Sequence, residues 1–177
     1  MRTSWIAFAL AILLMLCITG CGAPAPVVLI NYPSADTGAD MVDRGFYITS
    51  YPGTTLSRVT LYFSSNTTET YNMQLQAMDS AYNGTVIGLA TSSFSGSTSS
   101  TDLKTVVFDF SNAAVTKGHV VAFKMTPSGG SGYVYFSTDG NYGGATPIVE
   151  ETEGTTTPPP LNTDRRLGIA IIVEGRQ

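Results

Sequence analysis

The chain has 177 residues, 12% of them charged, with nine Lys and Arg against thirteen Asp and Glu and a formal net charge of −4. That length supports one domain of ordinary size with its own core, and the singly scattered basic residues lack the charge stripe of a nucleic-acid binder. Both cysteines fall within the first 21 residues and His119 is the only histidine, so the rest of the chain has neither a disulfide framework nor a zinc-ligand set.

At the start, Arg2 precedes an unbroken apolar run of 14 residues, 5–18. This matches a secretory h-region and falls short of the roughly 20 residues that span a bilayer. Residues 1–20 therefore read as a signal peptide that carries Cys17 away with it. The run closes on Ile18-Thr19-Gly20-Cys21, which resembles the bacterial lipobox. The resemblance implies a bacterial lipoprotein: cleavage before Cys21, lipid on its thiol, an acylated amino group and the membrane as partner. Two or more acyl chains are what stable attachment takes. The implied location is exported and membrane-anchored, on the outer membrane of a Gram-negative host and otherwise on the outer face of the plasma membrane. Residues 21–27 then read as a tether, because Gly22-Ala23-Pro24-Ala25-Pro26 favours an extended, semi-rigid chain.

From residue 28 to 177 the pattern is that of a single all-β domain. Apolar and polar positions alternate at period two, broken by clusters of Gly, Pro, Asn, Asp and Ser. Strands are predicted over 46–50, 56–64, 71–78, 85–92, 104–110, 119–125, 133–137 and 167–173, with an edge strand over 27–32. The inward faces are Val59, Leu61 and Phe63; Tyr71, Met73, Leu75 and Ala77; Val106, Phe108 and Phe110; and Val121, Phe123 and Met125. One apolar and one mostly polar face per strand implies antiparallel sheets packed face to face. The Ser-rich stretch 92–101 reads as a flexible loop anchored by Phe94. A second break over 143–164, with a Pro/Thr-rich loop at 150–164, reads as a surface excursion, since Pro158-Pro159-Pro160 cannot sit in a central strand. Glu150, Glu151 and Glu153 lie there, within reach of pairing with Arg165 and Arg166.

The phrases Gly53-Thr54-Thr55-Leu56-Ser57-Arg58-Val59-Thr60-Leu61-Tyr62-Phe63, Val106-Val107-Phe108-Asp109-Phe110 and Asn141-Tyr142-Gly143-Gly144-Ala145 together resemble a bacterial jelly-roll β-sandwich over about residues 46 to 173. Such modules accompany cell-surface anchors and carbohydrate-active domains. The resemblance implies an antiparallel β-sandwich of about eight strands, and structural calcium is common among its members.

Catalysis finds little support in the residues. His119 has no nucleophile motif near it, and the acids sit mostly in loops at separations the sequence leaves open. A sugar site needs an aromatic ring beside short amide or carboxylate groups. Tyr142 supplies a ring, Asp139 and Asn141 supply oxygens and an amide, and Tyr135 is close in sequence. The same residues also read as a turn, with Tyr133 and Tyr135 packed in a strand. Asp139 and Asn141 place oxygens at i and i+2, as calcium loops do, without the rest of an EF-hand. Asn66-Thr67-Thr68 and Asn83-Gly84-Thr85 read as turns. Two functional classes follow: a non-catalytic, lipid-anchored envelope module with glycan as the favoured ligand, or an assembly protein packing against another envelope protein. A hydrolase is the least favoured. No cofactor is required, and calcium would be structural.

Overall fold

The computed structural model describes residues 23–33, 45–80, 84–139, 149–152 and 168–177. Twelve strands lie among them: β1 Val27–Tyr32, β2 Gly45–Ile48, β3 Thr55–Ser65, β4 Thr70–Asp79, β5 Val86–Ser95, β6 Lys104–Ala114, β7 Val121–Ser128, β8 Val134–Phe136, β9 Thr138–Asp139, β10 Val149–Thr152, β11 Gly168–Ile169 and β12 Ile171–Arg176. Sheet 1 runs β1-β12-β3-β6 with β8 also on β3. Sheet 2 runs β10-β2-β7-β4-β5, and β9 and β11 form a separate two-stranded ribbon. Every pairing is antiparallel.

The pairings β1 with β12, β2 with β7, β3 with β6 and β4 with β5 are nested, as if one long ribbon had been folded in half and rolled. This is the jelly-roll order, in which β12 takes the place of the eighth strand. That eighth strand is built from two pieces. β8 lies along β3 from Ser65 to Phe63, Ser137 donates its N–H to the Tyr62 carbonyl, and β12 takes over opposite Leu61. At the handover Thr138–Asp139 (β9) and Gly168–Ile169 (β11) pair with each other instead of with sheet 1.

Between the sheets the period-two faces meet as expected. Val59, Leu61, Phe63, Tyr71, Met73, Leu75, Ala77, Phe108, Val121, Phe123 and Met125 are all at most 1% exposed. Rings bridge the two layers: Phe63 stacks on Phe94 at 5.8 Å and Phe110 meets Phe123 edge-on at 6.2 Å. Such offset and edge-to-face contacts add to the area term. Tyr51 is buried as well, its hydroxyl donating to the Thr55 carbonyl, and burial raises its pKa far above the ordinary tyrosine value.

Three expectations are corrected. β5 continues through Ser95, so Ser93 and Ser95 belong to a strand rather than a loop. Phe94 alternates into the core there and stacks on Tyr71, while its serine neighbours occupy the wetter positions. The segment 143–164 contains β10, whose Glu150 and Glu151 pair with Tyr47 and Phe46 on the edge of sheet 2. His119 precedes β7 instead of opening it: it is exposed in the turn, its N–H bonded to the Thr116 carbonyl. The expected edge strand over 27–32 is β1. Cys21, Glu153, Pro158-Pro159-Pro160, Arg165 and Arg166 lie outside the described residues. Among the described residues no helix is long and apolar enough to cross a membrane.

Candidate functional site

Of the residues singled out for a sugar site, Tyr135 is fully described. It sits in β8 opposite Ser64, half-buried on the outward side of sheet 1. Asp139 pairs with Gly168 in the β9–β11 ribbon, one pair beyond Thr138 and Ile169. Its side chain, together with Asn141 and Tyr142, lies outside the described residues, as does Asn83. The ring that Tyr135 does meet is that of Tyr133, at a centroid distance of 6.5 Å and a tilt of 44°. Tyr133 is 58% exposed, the most exposed large apolar side chain among the described residues.

Three loops brace this tyrosine pair. The β3–β4 turn, residues 66–69, supplies Asn66, whose Oδ1 accepts the Tyr133 N–H at 2.8 Å. It also supplies Glu69, whose carboxylate accepts the Ser131 N–H at 2.5 Å and the Ser131 hydroxyl at 3.1 Å. Those bonds, the Ser131 N–H first, hold the Glu69 carboxyl below the usual glutamate range. The β5–β6 connection joins through Gly96, which donates its N–H to the Glu69 carbonyl. It also joins at Ser100, whose carbonyl accepts the Ser64 hydroxyl.

Within the β7–β8 connection, Gly130 packs against the Tyr71 ring with φ +70°. A Cβ there would come within 2.4 Å of the ring, so both its conformation and its proximity require glycine. Beneath it the Tyr71 hydroxyl shares a 2.5 Å hydrogen bond with Thr67 Oγ1. The pair is thus carried on a floor whose own side chains are fixed by hydrogen bonds. Two rings tilted on such a floor offer an apolar face with hydroxyls at its margin, which suits an amphipathic ligand.

The sequence signal that could have favoured Tyr133 over Tyr142 is Gly129-Gly130-Ser131-Gly132, a run too small to cover a ring that follows it. Among the described residues no three His, Cys, Asp or Glu side chains gather as a metal site. His119 lies in the turn after Thr116, and the described structure gives it no nucleophile partner.

No protein-family model matches the chain, and no curated protein does. Among solved structures, a carbohydrate-binding module, CBM36 in complex with calcium and xylotriose, is similar over 64% of this chain and 96% of its own, at 13% identity and a TM-score of 0.35. A likeness that low carries neither its sugar nor its calcium to this chain; the jelly roll rests on the strand pairing.

Proposed function

We propose that this protein is a lipid-anchored envelope protein whose β-sandwich is a non-catalytic binding module for glycan. The observation that supports the ligand class is the exposed Tyr133 ring, tilted against Tyr135 on a hydrogen-bonded base. The anchor is supported by the lipobox-like Ile18-Thr19-Gly20-Cys21. A ring held in place loses little conformational freedom on binding, and that preorganisation favours affinity.

The experiment is a glycan array probed with the full chain in a sugar-free detergent, with the Tyr133→Ala variant in parallel. Retention that falls about tenfold or more in the variant is the expected result, in keeping with the loss of one stacked aromatic contact. No retention by any glycan, or retention unchanged in Y133A, overturns the reading. For the anchor, Cys21→Ala is expected to end lipid labelling and release the protein from membranes.

A second reading, an assembly role against another envelope protein, draws support from β5. This strand ends sheet 2 and exposes Val86 and Leu89 at 50% and 54%, and an edge with apolar side chains is a pairing surface. Capture of a single envelope protein by chemical crosslinking, lost when Leu89 is replaced by Lys, would favour it.

A further inference from the structure

The outward face of sheet 1 holds a second feature at the opposite end of β3. Across this sheet the strands lose register at one common level. β1 has an additional residue, Leu29, between Val28 and Ile30; β3 has one, Ser57, where Glu174 and Gly175 of β12 face Arg58 and Leu56. β6 sets Phe110, Ser111 and Asn112 against that single serine. Ser111 and Asn112 both adopt positive φ, 53° and 62°, a conformation that costs a non-glycine residue free energy and persists only where its surroundings enforce it. Bulges re-aim side chains, and they concentrate beside functional sites.

The aligned bulges open a cleft of about 310 Å3 lined by Pro26, Ser57, Arg58, Asp109, Ser111 and Asn112, large enough for a small ligand or one ring of a larger one. Its polar groups are partly committed. Asn112 Oδ1 accepts the Ser57 hydroxyl at 2.6 Å, which leaves the amide NH2 as donor. Asp109 Oδ1 accepts the Ser111 N–H at 2.8 Å, which leaves the second carboxylate oxygen as acceptor. Arg58 faces Asp109 on β6 and Glu174 on β12 in register, with a 3.5 Å ion pair to Glu174.

Arg58 stands between two carboxylates, Glu174 and Asp109, so the cleft sets donors and acceptors side by side, with both signs of charge present. An anion would meet the Asp109 carboxylate, and a metal ion would meet the Arg58 guanidinium. Adjacent hydroxyls, each donor and acceptor at once, satisfy both sets of groups. We propose that this cleft is a binding site for an uncharged polyhydroxyl group, the vicinal diol of a sugar ring. Asp109 accepts from the hydroxyls, and Asn112 and Arg58 donate to them. Six residues of β3 separate Arg58 from Ser64 beside Tyr135, roughly 20 Å at strand rise, so this site stands whether or not the tyrosine pair binds.

The test is amide NMR of the full chain in a sugar-free, zwitterionic detergent, titrated separately with methyl α-D-mannopyranoside, methyl β-D-glucopyranoside and calcium chloride. Saturable millimolar shifts of the Ser57, Ser111 and Asn112 amides with a glycoside are expected. They should weaken about tenfold or more in Asp109→Asn, which keeps the acceptor for Ser111 but loses the charge. Asn112→Asp, which keeps the acceptor for Ser57 and removes the amide donor, should weaken them too and serves if D109N fails to fold. Tyr133→Ala should leave them unchanged, which separates this site from the tyrosine pair. Failure of both glycosides to shift these amides, shifts produced by calcium alone, or glycoside shifts unaltered in the Asp109 and Asn112 variants would overturn the proposal.

Discussion

The two ends of β3 present unlike surfaces on one face of one sheet. At the Ser64 end the strands keep regular register, and the surface is made by loops locked to one another through Asn66, Glu69 and Ser131. At the Ser57 end the strands themselves are displaced, and the surface is made by bulges at one level. The first end carries aromatic rings and the second carries charged and amide groups. A sandwich interior tolerates little change, so binding surface arises either by adding hydrogen-bonded loops beyond the strands or by shifting the strands past each other.

Substitutions beneath each end probe how separate they are. Phe63 is fully buried against Phe94 and Phe108 under the loop end, and Phe110 meets Phe123 under the bulges. Each change to Ala is expected to cost about 3–5 kcal/mol of stability in urea denaturation. Hydrogen exchange should accelerate most at the Tyr133 amide in Phe63→Ala and at the Asn112 amide in Phe110→Ala. Equal acceleration at both amides in both variants would show that the ends open as one unit.

A smaller effect is expected at Gly175, where a Cβ would come within 1.9 Å of the Thr55 carbonyl oxygen and 2.8 Å of Leu29 Cδ1. Gly175→Ala forces the bulge level apart at a cost of about 1–3 kcal/mol. Thermal unfolding measures that loss, and the Tyr133 ring resonances should stay in place. The mildest perturbation is acid. The Glu69 pKa is lowered in the folded protein, chiefly by the Ser131 N–H, so its bracing of Ser131 is complete above the unfolded value and is lost as pH falls through the folded one, on the acid side of the ordinary glutamate range. The Ser131 amide shift should follow that titration, and Glu69→Gln should abolish it.

Period two made the core legible: Val59, Leu61 and Phe63, or Tyr71, Met73 and Leu75, mark an inward face without any knowledge of their partners. The same rule failed where wet-face residues resembled loop residues, as at Ser93 and Ser95. It failed again at β10, where consecutive glutamates are compatible with an edge strand. The cleft was harder to read. Ser57 and Asn112 meet only because β3 and β6 slip past each other, and register is a relation between strands that no local window contains. Asn112 carries the one local hint, since Asn tolerates left-handed backbone better than most residues. Tyr133 was in view as a strand residue, but its exposure depends on what the following fold leaves uncovered.

The two-piece eighth strand has a further consequence. β12 is flanked by β1 on one side and β3 on the other, and its connection to β8 passes through residues 138–169 instead of directly along the strand. A peptide bond cut within that connection would leave the last strand clamped by two ladders of backbone hydrogen bonds and by the buried side chains of Ile171 and Val173. The C-terminal segment would then behave as a bound peptide: exchangeable, competable by a synthetic copy, and capable of completing a sandwich that lacks its own.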